Sequence, residues 1–225
     1  MKVNTDGVLL GAVMTIRPSD CSLLDIGTGT GTIALMAAQR LAQNGTFKVE
    51  AIDIDEPSAT EAGQNFANSP WADNLRAHNL SLDQYEESLP EETKFDLIFS
   101  NPPYFEDSLT APDQRKSTAR HTSDGLSYRD IFDFAVQRLS DDGRVSFVLP
   151  ADQEQALCRY GRMNGLHLFR ITRVRTVPRK APSRIIAEFS RHRYENPEDT
   201  TLTIQNEGTY TQEYLNVMKE FYLFA

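Results

Sequence analysis

The chain has 225 residues, 40% of them hydrophobic and 24% charged, and a net charge of −9. No run approaches the roughly 18 consecutive apolar residues of a membrane span, and Met1–Met14 has neither the apolar core nor the cleavage site of a secretory leader. Two cysteines, Cys21 and Cys158, are too few for a disulfide scaffold or a four-cysteine zinc site, so both are expected as buried thiols in a reducing cytoplasm.

Thr5 and Asp6 precede an apolar stretch and suit the cap of a first helix. Cys21–Ile26 is a short apolar run ending in glycines, a buried strand. Thr30–Leu41 repeats apolar residues at helical spacing (Ile33, Leu35, Met36, Ala37, Leu41) and stops near Asn44-Gly45. Phe47–Ile54 reads as a second strand, and Pro57 suits the first turn of a helix over Ser58–Phe66. Leu75–Leu80 is a weaker third strand and Phe95–Ser100 a strong fourth. Ser127–Leu139 is an amphipathic helix, Arg144–Leu149 a fifth strand and Ala151–Met163 a helix. Leu168–Thr176 and Ile185–Ser190 are two further strands, joined by a turn with Pro178 and Pro182. Tyr210–Phe221 closes the chain as a helix.

With no repeat or linker, residues 1–225 are expected to form one domain. The alternation predicts an α/β fold: a mostly parallel seven-stranded sheet with helices on both faces. The last two strands are too close in sequence for a crossover helix, so they should form an antiparallel hairpin at one edge.

Leu23-Leu24-Asp25-Ile26-Gly27-Thr28-Gly29-Thr30-Gly31 ends the first strand and opens the next helix. Its glycines permit a tight turn and close approach of a ligand, and a helix start offers unpaired N–H groups. The D-x-G-x-G-x-G spacing is not the dinucleotide G-x-G-x-x-G, and no Lys-Ser/Thr follows to grip a phosphate. An acid at the head of a phosphate-free cradle suits a cationic ligand with a ribose, and S-adenosylmethionine has an amino group, a sulfonium and a ribose. Asp53, at the end of the second strand, stands where an acid binds a ribose diol. Thr28 and Ile54 complete the expected cofactor residues of these two turns.

Asn101-Pro102-Pro103-Tyr104 follows the fourth strand directly. Consecutive prolines stiffen the loop. The Pro102 carbonyl and the Asn101 side-chain oxygen are two acceptors, and Tyr104 supplies a flat face. That set matches a planar conjugated –NH2, held through both hydrogens with its lone pair aimed at an electrophilic methyl. Such chemistry rests on orientation and electrostatics and needs no strong base.

Charge is unevenly placed. Residues 1–100 hold 6 Lys/Arg against 15 Asp/Glu, and residues 101–225 hold 17 against 17. Within residues 159–193 stand ten bases, Arg159, Arg162, Arg170, Arg173, Arg175, Arg179, Lys180, Arg184, Arg191 and Arg193, against the single acid Glu188. That asymmetry points to a polyanion. His78, His167 and His192 have no metal-ligand spacing, so no metal is expected, and Trp71 reads as packing.

The two motifs together resemble the Rossmann-like class I S-adenosylmethionine-dependent methyltransferases that act on exocyclic or amide nitrogens. Lys2-Val3-Asn4-Thr5-Asp6-Gly7-Val8-Leu9-Leu10-Gly11-Ala12, Asn101–Phe105, Arg115–Ser123, Glu207-Gly208-Thr209-Tyr210-Thr211 and Tyr222-Leu223 resemble one family over nearly the whole chain. It is the bacterial tRNA1(Val) adenine-37 N6-methyltransferase family, which usually carries further residues ahead of the segment at Lys2. The resemblance implies a cytoplasmic monomer that methylates N6 of the adenine beside a valine anticodon and leaves S-adenosylhomocysteine.

In that reading Asn101, Pro102, Pro103 and Tyr104 hold the target adenine. Asp25, Gly27, Gly29 and Gly31 cradle the methionine part of the cofactor, with Thr5 and Asp6 near it. Ser81, followed by Leu82, stands where related enzymes bind the cofactor's adenine amino group. Arg115, Lys116, Arg120, His121, Arg179, Lys180 and Arg184 contact phosphates, within the stretches 113–121 and 159–193. The alternatives are a glutamine-amide methyltransferase of release factors, which shares N-P-P-Y, and a tRNA-binding protein without activity.

Overall fold

A computed structural model describes residues 5–43, 45–103 and 125–223. Five parallel strands form its centre: β1 (Ser22–Ile26), β2 (Lys48–Asp53), β3 (Leu75–Asn79), β4 (Phe95–Ser100) and β5 (Leu139–Pro150). β7 (Arg184–Ser190) runs antiparallel between β5 and β6 (His167–Arg175), and β8 (Glu198–Thr203) pairs in parallel with β6. The described sheet is therefore eight-stranded, in the order β3-β2-β1-β4-β5-β7-β6-β8. The expected late hairpin exists, but β8 covers its outer side and makes the sheet one strand wider than predicted. Glu-Asp-Thr-Thr-Leu-Thr carries little apolar signal because an edge strand needs little. It is held instead by ion pairs of Arg173 with Asp199 and of Arg170 with Glu198.

Central strands are apolar on both sides because helices cover both faces. On one face α1 (Thr5–Val13), α2 (Thr32–Leu41), α3 (Glu56–Ala67) and α7 (Gln212–Met218) pack Leu9, Leu10, Met36 and Phe66 against Leu23, Val49 and Phe99. On the other, α4 (Leu82–Ser88), α5 (Tyr128–Arg138) and α6 (Glu154–Met163) pack Tyr85, Phe132 and Leu157 against Ile98, Phe147 and Phe189. Trp71 packs against the first of these cores, as read from the sequence.

Some elements differ from expectation for local reasons. α1 begins at Thr5, so Thr5 and Asp6 lie in its first turn rather than ahead of it. α4 was not expected, having only Leu82 and Tyr85 to bury. Its signal is the reciprocal cap of Ser81 and Gln84. The last helix starts at Gln212, capped by Thr211, because Glu207 and Gly208 adopt positive φ and turn Gln205–Asn206 (β9) back on Thr209–Tyr210 (β10). Cys21 is exposed and Cys158 half-buried, which corrects the expectation of two buried thiols.

Candidate active site at the ends of β1, β2 and β4

The chain leaves β1 for β2 on one side and β4 for β5 on the other, so the order of the sheet reverses between β1 and β4. In open α/β sheets ligands bind beyond the carboxyl ends of two such strands. The glycine-rich turn follows β1 there, and Asn101-Pro102-Pro103 follows β4. Ser100, fully buried, ties the two ends by donating to the Ile26 carbonyl at 2.7 Å. Asn101 is half-buried, Pro102 buried and Pro103 exposed. Tyr104 lies outside the described residues, as do Arg115, Lys116, Arg120 and His121.

Asp25, the penultimate residue of β1, is fully buried. Its Oδ2 accepts from the Thr28 hydroxyl at 2.7 Å, while Oδ1 has no hydrogen-bond partner. Burial pushes its carboxyl up to about 7; the Thr28 hydroxyl and the Ala34 N–H oppose the rise, and Asp53 adds to it. A buried acceptor left unpaired is costly, so this oxygen calls for a donor.

Asp53 ends β2. Its Oδ2 accepts from Gly29 N at 2.8 Å and its Oδ1 from Asp55 N at 2.9 Å. An ionised carboxylate accepts about four hydrogen bonds, so capacity for a diol remains. Ile54 follows at 77% exposure, an apolar side chain set beside an acid at the strand end. Asn79, at the end of β3, donates to the carbonyls of both Asp53 and Ile54, at 3.1 and 3.0 Å. Sequence reasoning missed Asn79, and only its place at a strand end marks it. Ser81 stands at the same edge, its oxygen accepting from Gln84 N at 3.2 Å as the cap of α4, with Leu82 buried behind it.

The glycines differ in role. Gly31 has φ +79°, and a Cβ there would meet the Phe66 ring at 2.5 Å; Gly29 has φ +58° with nothing within 4 Å. Gly31→Ala should therefore cost roughly 2–3 kcal/mol of stability, through strain and overpacking. Gly29→Ala should cost only ~1 kcal/mol, yet weaken any ligand lying over the turn. Thermal melts alongside cofactor titrations check the contrast.

The basic segment is less positive in three dimensions than in sequence. Arg170 pairs with Glu188 and Glu198, Arg173 with Glu154 and Asp199, and Arg184 with Asp6. Arg175 donates to Thr203 and the Pro178 carbonyl, Arg191 to the carbonyls of Val136 and Leu139. The segment also spans both ends of its strands. Pairing of Arg184 with Pro150 puts the β6–β7 turn on the Asn101 side, whereas His167 and Ser190 pair on the far side, toward Arg191 and Arg193. Arg179 and Lys180, in that turn, are exposed and have no acidic partner among the described residues. Among the described residues no group of three His, Cys, Asp or Glu side chains could hold a metal ion, and no helix is long and apolar enough to cross a membrane.

A mostly parallel sheet whose order reverses between β1 and β4, with a glycine turn after β1 and Asn-Pro-Pro after β4, has the architecture of the Rossmann-like class of methyltransferases. The family model of the methyltransferase small domain matches residues 7–158, and the chain belongs to that family. Within it the chain falls among proteins named tRNA1(Val) (adenine(37)-N6)-methyltransferase, the group its motifs resemble. One, from Parabacteroides distasonis, is 40% identical over 225 residues, 99% of this chain and 91% of the relative. Another, from Flavobacterium psychrophilum, is 36% identical over 223 residues, covering 99% and 93%. Solved structures share the fold. A crystal structure described as a predicted O-methyltransferase of Agrobacterium tumefaciens superposes with a TM-score of 0.69 at 18% identity, covering 98% of each chain. A type I restriction-modification methyltransferase subunit of Streptococcus thermophilus gives 0.65 at 15%, covering 97% of this chain and 52% of that one.

Proposed function

We propose that this chain transfers a methyl group from S-adenosylmethionine to N6 of an adenine in tRNA, adenine 37 of tRNA1(Val), as a single-domain cytoplasmic monomer. The observation that carries the reading is the meeting of three motifs at the strand ends where the sheet order reverses, tied by Ser100 to Ile26 and by Asp53 to Gly29. Asn101 and Pro102 follow β4, Asp25 stands near the end of β1 and Asp53 ends β2, so an amine-holding loop and two acids come from neighbouring strands.

The donor set fits the cofactor. Asp25 Oδ1 offers a buried acceptor to the amino end of the methionine part, with Thr28 orienting the carboxylate. Gly27 and Gly29 leave the turn open, and Gly31 seats α2 against Phe66. Asp53 has acceptor capacity for the ribose hydroxyls, and Ile54 and Leu82 offer apolar contact to the adenine, with Ser81 at its amino group. Bound there, the cofactor supplies an electrophilic methyl on a sulfonium that departs as the neutral thioether of S-adenosylhomocysteine.

The chain's own work is to orient the amine. The target base leaves the anticodon-loop stack. Asn101 Oδ1 and the Pro102 carbonyl each accept one N6 hydrogen, which keeps the nitrogen lone pair localised and directed at the methyl. Pro103 stiffens the loop and Tyr104 stacks on the base. The lone pair forms the new N–C bond, and the cationic amine then loses a proton to water. Arg115, Lys116, Arg120, His121, Arg179 and Lys180 meet the phosphates. Purified protein with labelled S-adenosylmethionine and unmodified tRNA should yield N6-methyladenosine; label in a release-factor glutamine and none in RNA would replace this reading with the amide one.

Asp25 gives a pH signature. Between about 4 and about 7 the folded, ligand-free chain holds a proton that an unfolded aspartate has lost, so its stability falls as pH rises through that window. A cationic ligand selects the ionised carboxylate. Cofactor binding at pH 6 should release a proton from Asp25, and affinity should rise toward pH 8. Calorimetry in buffers of different ionisation enthalpy detects this, and Asp25→Asn should flatten the profile.

A further inference from the structure

Sequence reasoning assigned Asp6 to the cofactor and Arg184 to RNA, yet the two meet each other. Arg184 Nε donates to Asp6 Oδ2 at 2.8 Å across 178 residues of chain, with 32% and 22% of the two side chains exposed. Resting on the reading above, we propose that this ion pair is a clasp that positions the first turn of α1 as one wall of the cofactor site, and that Arg184 acts through Asp6 rather than on a phosphate.

α1 is nine residues long, too short to hold its shape alone, so its position depends on its anchors. The far end is held from inside the protein. Arg40 donates to the carbonyls of Gly11 and Met14, Arg170 donates to the carbonyl of Val13, and Glu188 accepts from the N–H and hydroxyl of Thr15. At the near end, Asp6 is joined to Arg184. Arg184 opens β7 opposite Pro150, the last residue of β5, at the end of the sheet where Asn101 follows β4. α1 packs on α2, β5 and β7, and its Gly11 backbone rests on Met36 so closely that a Cβ would meet the Met36 sulfur at 2.7 Å. α2 is the helix capped by Gly31 of the glycine turn. A shift of the first turn of α1 is therefore felt between the glycine turn and Asn101.

An ion pair of this exposure is worth up to about fivefold in an equilibrium constant, too little to threaten the fold. Its loss should be read in the site. The test is the affinity of the full chain for S-adenosylhomocysteine by calorimetry, with the salt dependence of tRNA binding measured in parallel. Arg184→Gln and Asp6→Asn should each weaken S-adenosylhomocysteine several-fold, with melting temperature and the salt slope for tRNA unchanged. The exchanged pair Asp6→Lys with Arg184→Glu should recover most of the affinity. Unchanged cofactor affinity with a shallower salt slope in Arg184→Gln would make Arg184 a phosphate contact and overturn the clasp. So would loss in both single variants without recovery in the exchange. Failure of the underlying reading looks different: the unaltered chain would then bind no S-adenosylhomocysteine.

Discussion

Asn101→Ala should lower turnover by about 10²–10³-fold, the usual consequence of removing one preorganised group that acts on the reacting atoms, while cofactor affinity should stay within about twofold. Asn101 follows β4, whereas the acids assigned to the cofactor, Asp25 and Asp53, stand on β1 and β2. Losing one acceptor leaves the N6 lone pair free to conjugate with the ring and to turn away from the methyl. Asn101→Asp keeps an acceptor and should retain more activity than Asn101→Ala. Single-turnover kinetics with saturating cofactor separates the chemical step from binding. Near-normal turnover in Asn101→Ala would remove the residue from the chemistry.

Asp53→Ala acts on the other half of the site. It removes the acceptor for Gly29 N and Asp55 N together with the two expected ribose contacts. Hydrogen bonds to a charged group are worth about 1.5–3 kcal/mol each, so cofactor affinity should fall by ~10²-fold or more. Gly29 N then loses its partner, and the turn loosens as well. Turnover at saturating cofactor should recover most of its value, which distinguishes this variant from Asn101→Ala. A titration with S-adenosylhomocysteine and a saturation curve check both halves.

The strands that build the site were legible in the sequence because burial on both faces makes them near-continuous apolar runs, as in Phe95–Ser100. The glycine turn and Asn101–Pro103 were legible because their residue types are rare outside such turns. β8 and α4 were not, since an edge strand and a two-contact helix bury too little to show a period. Asp25 was visible as an acid, but its unpaired oxygen and raised proton affinity exist only once β1 is covered. The ten bases of residues 159–193 are arranged in space in a way a count along the chain cannot see: Asp6, Glu154, Glu198 and Asp199 lie opposite Arg184, Arg173 and Arg170, and the segment is shared between the two ends of its strands.

On the proposed reading, the site at the ends of β1, β2 and β4 methylates one adenine amine in tRNA. Its most direct test uses a tRNA1(Val) transcript with adenine at position 37 and a second transcript with guanine there. Each is incubated with the protein and labelled S-adenosylmethionine, then digested for nucleoside identification. Label in N6-methyladenosine from the first transcript and none from the second is the predicted result. Equal label in both, or label in neither, contradicts it.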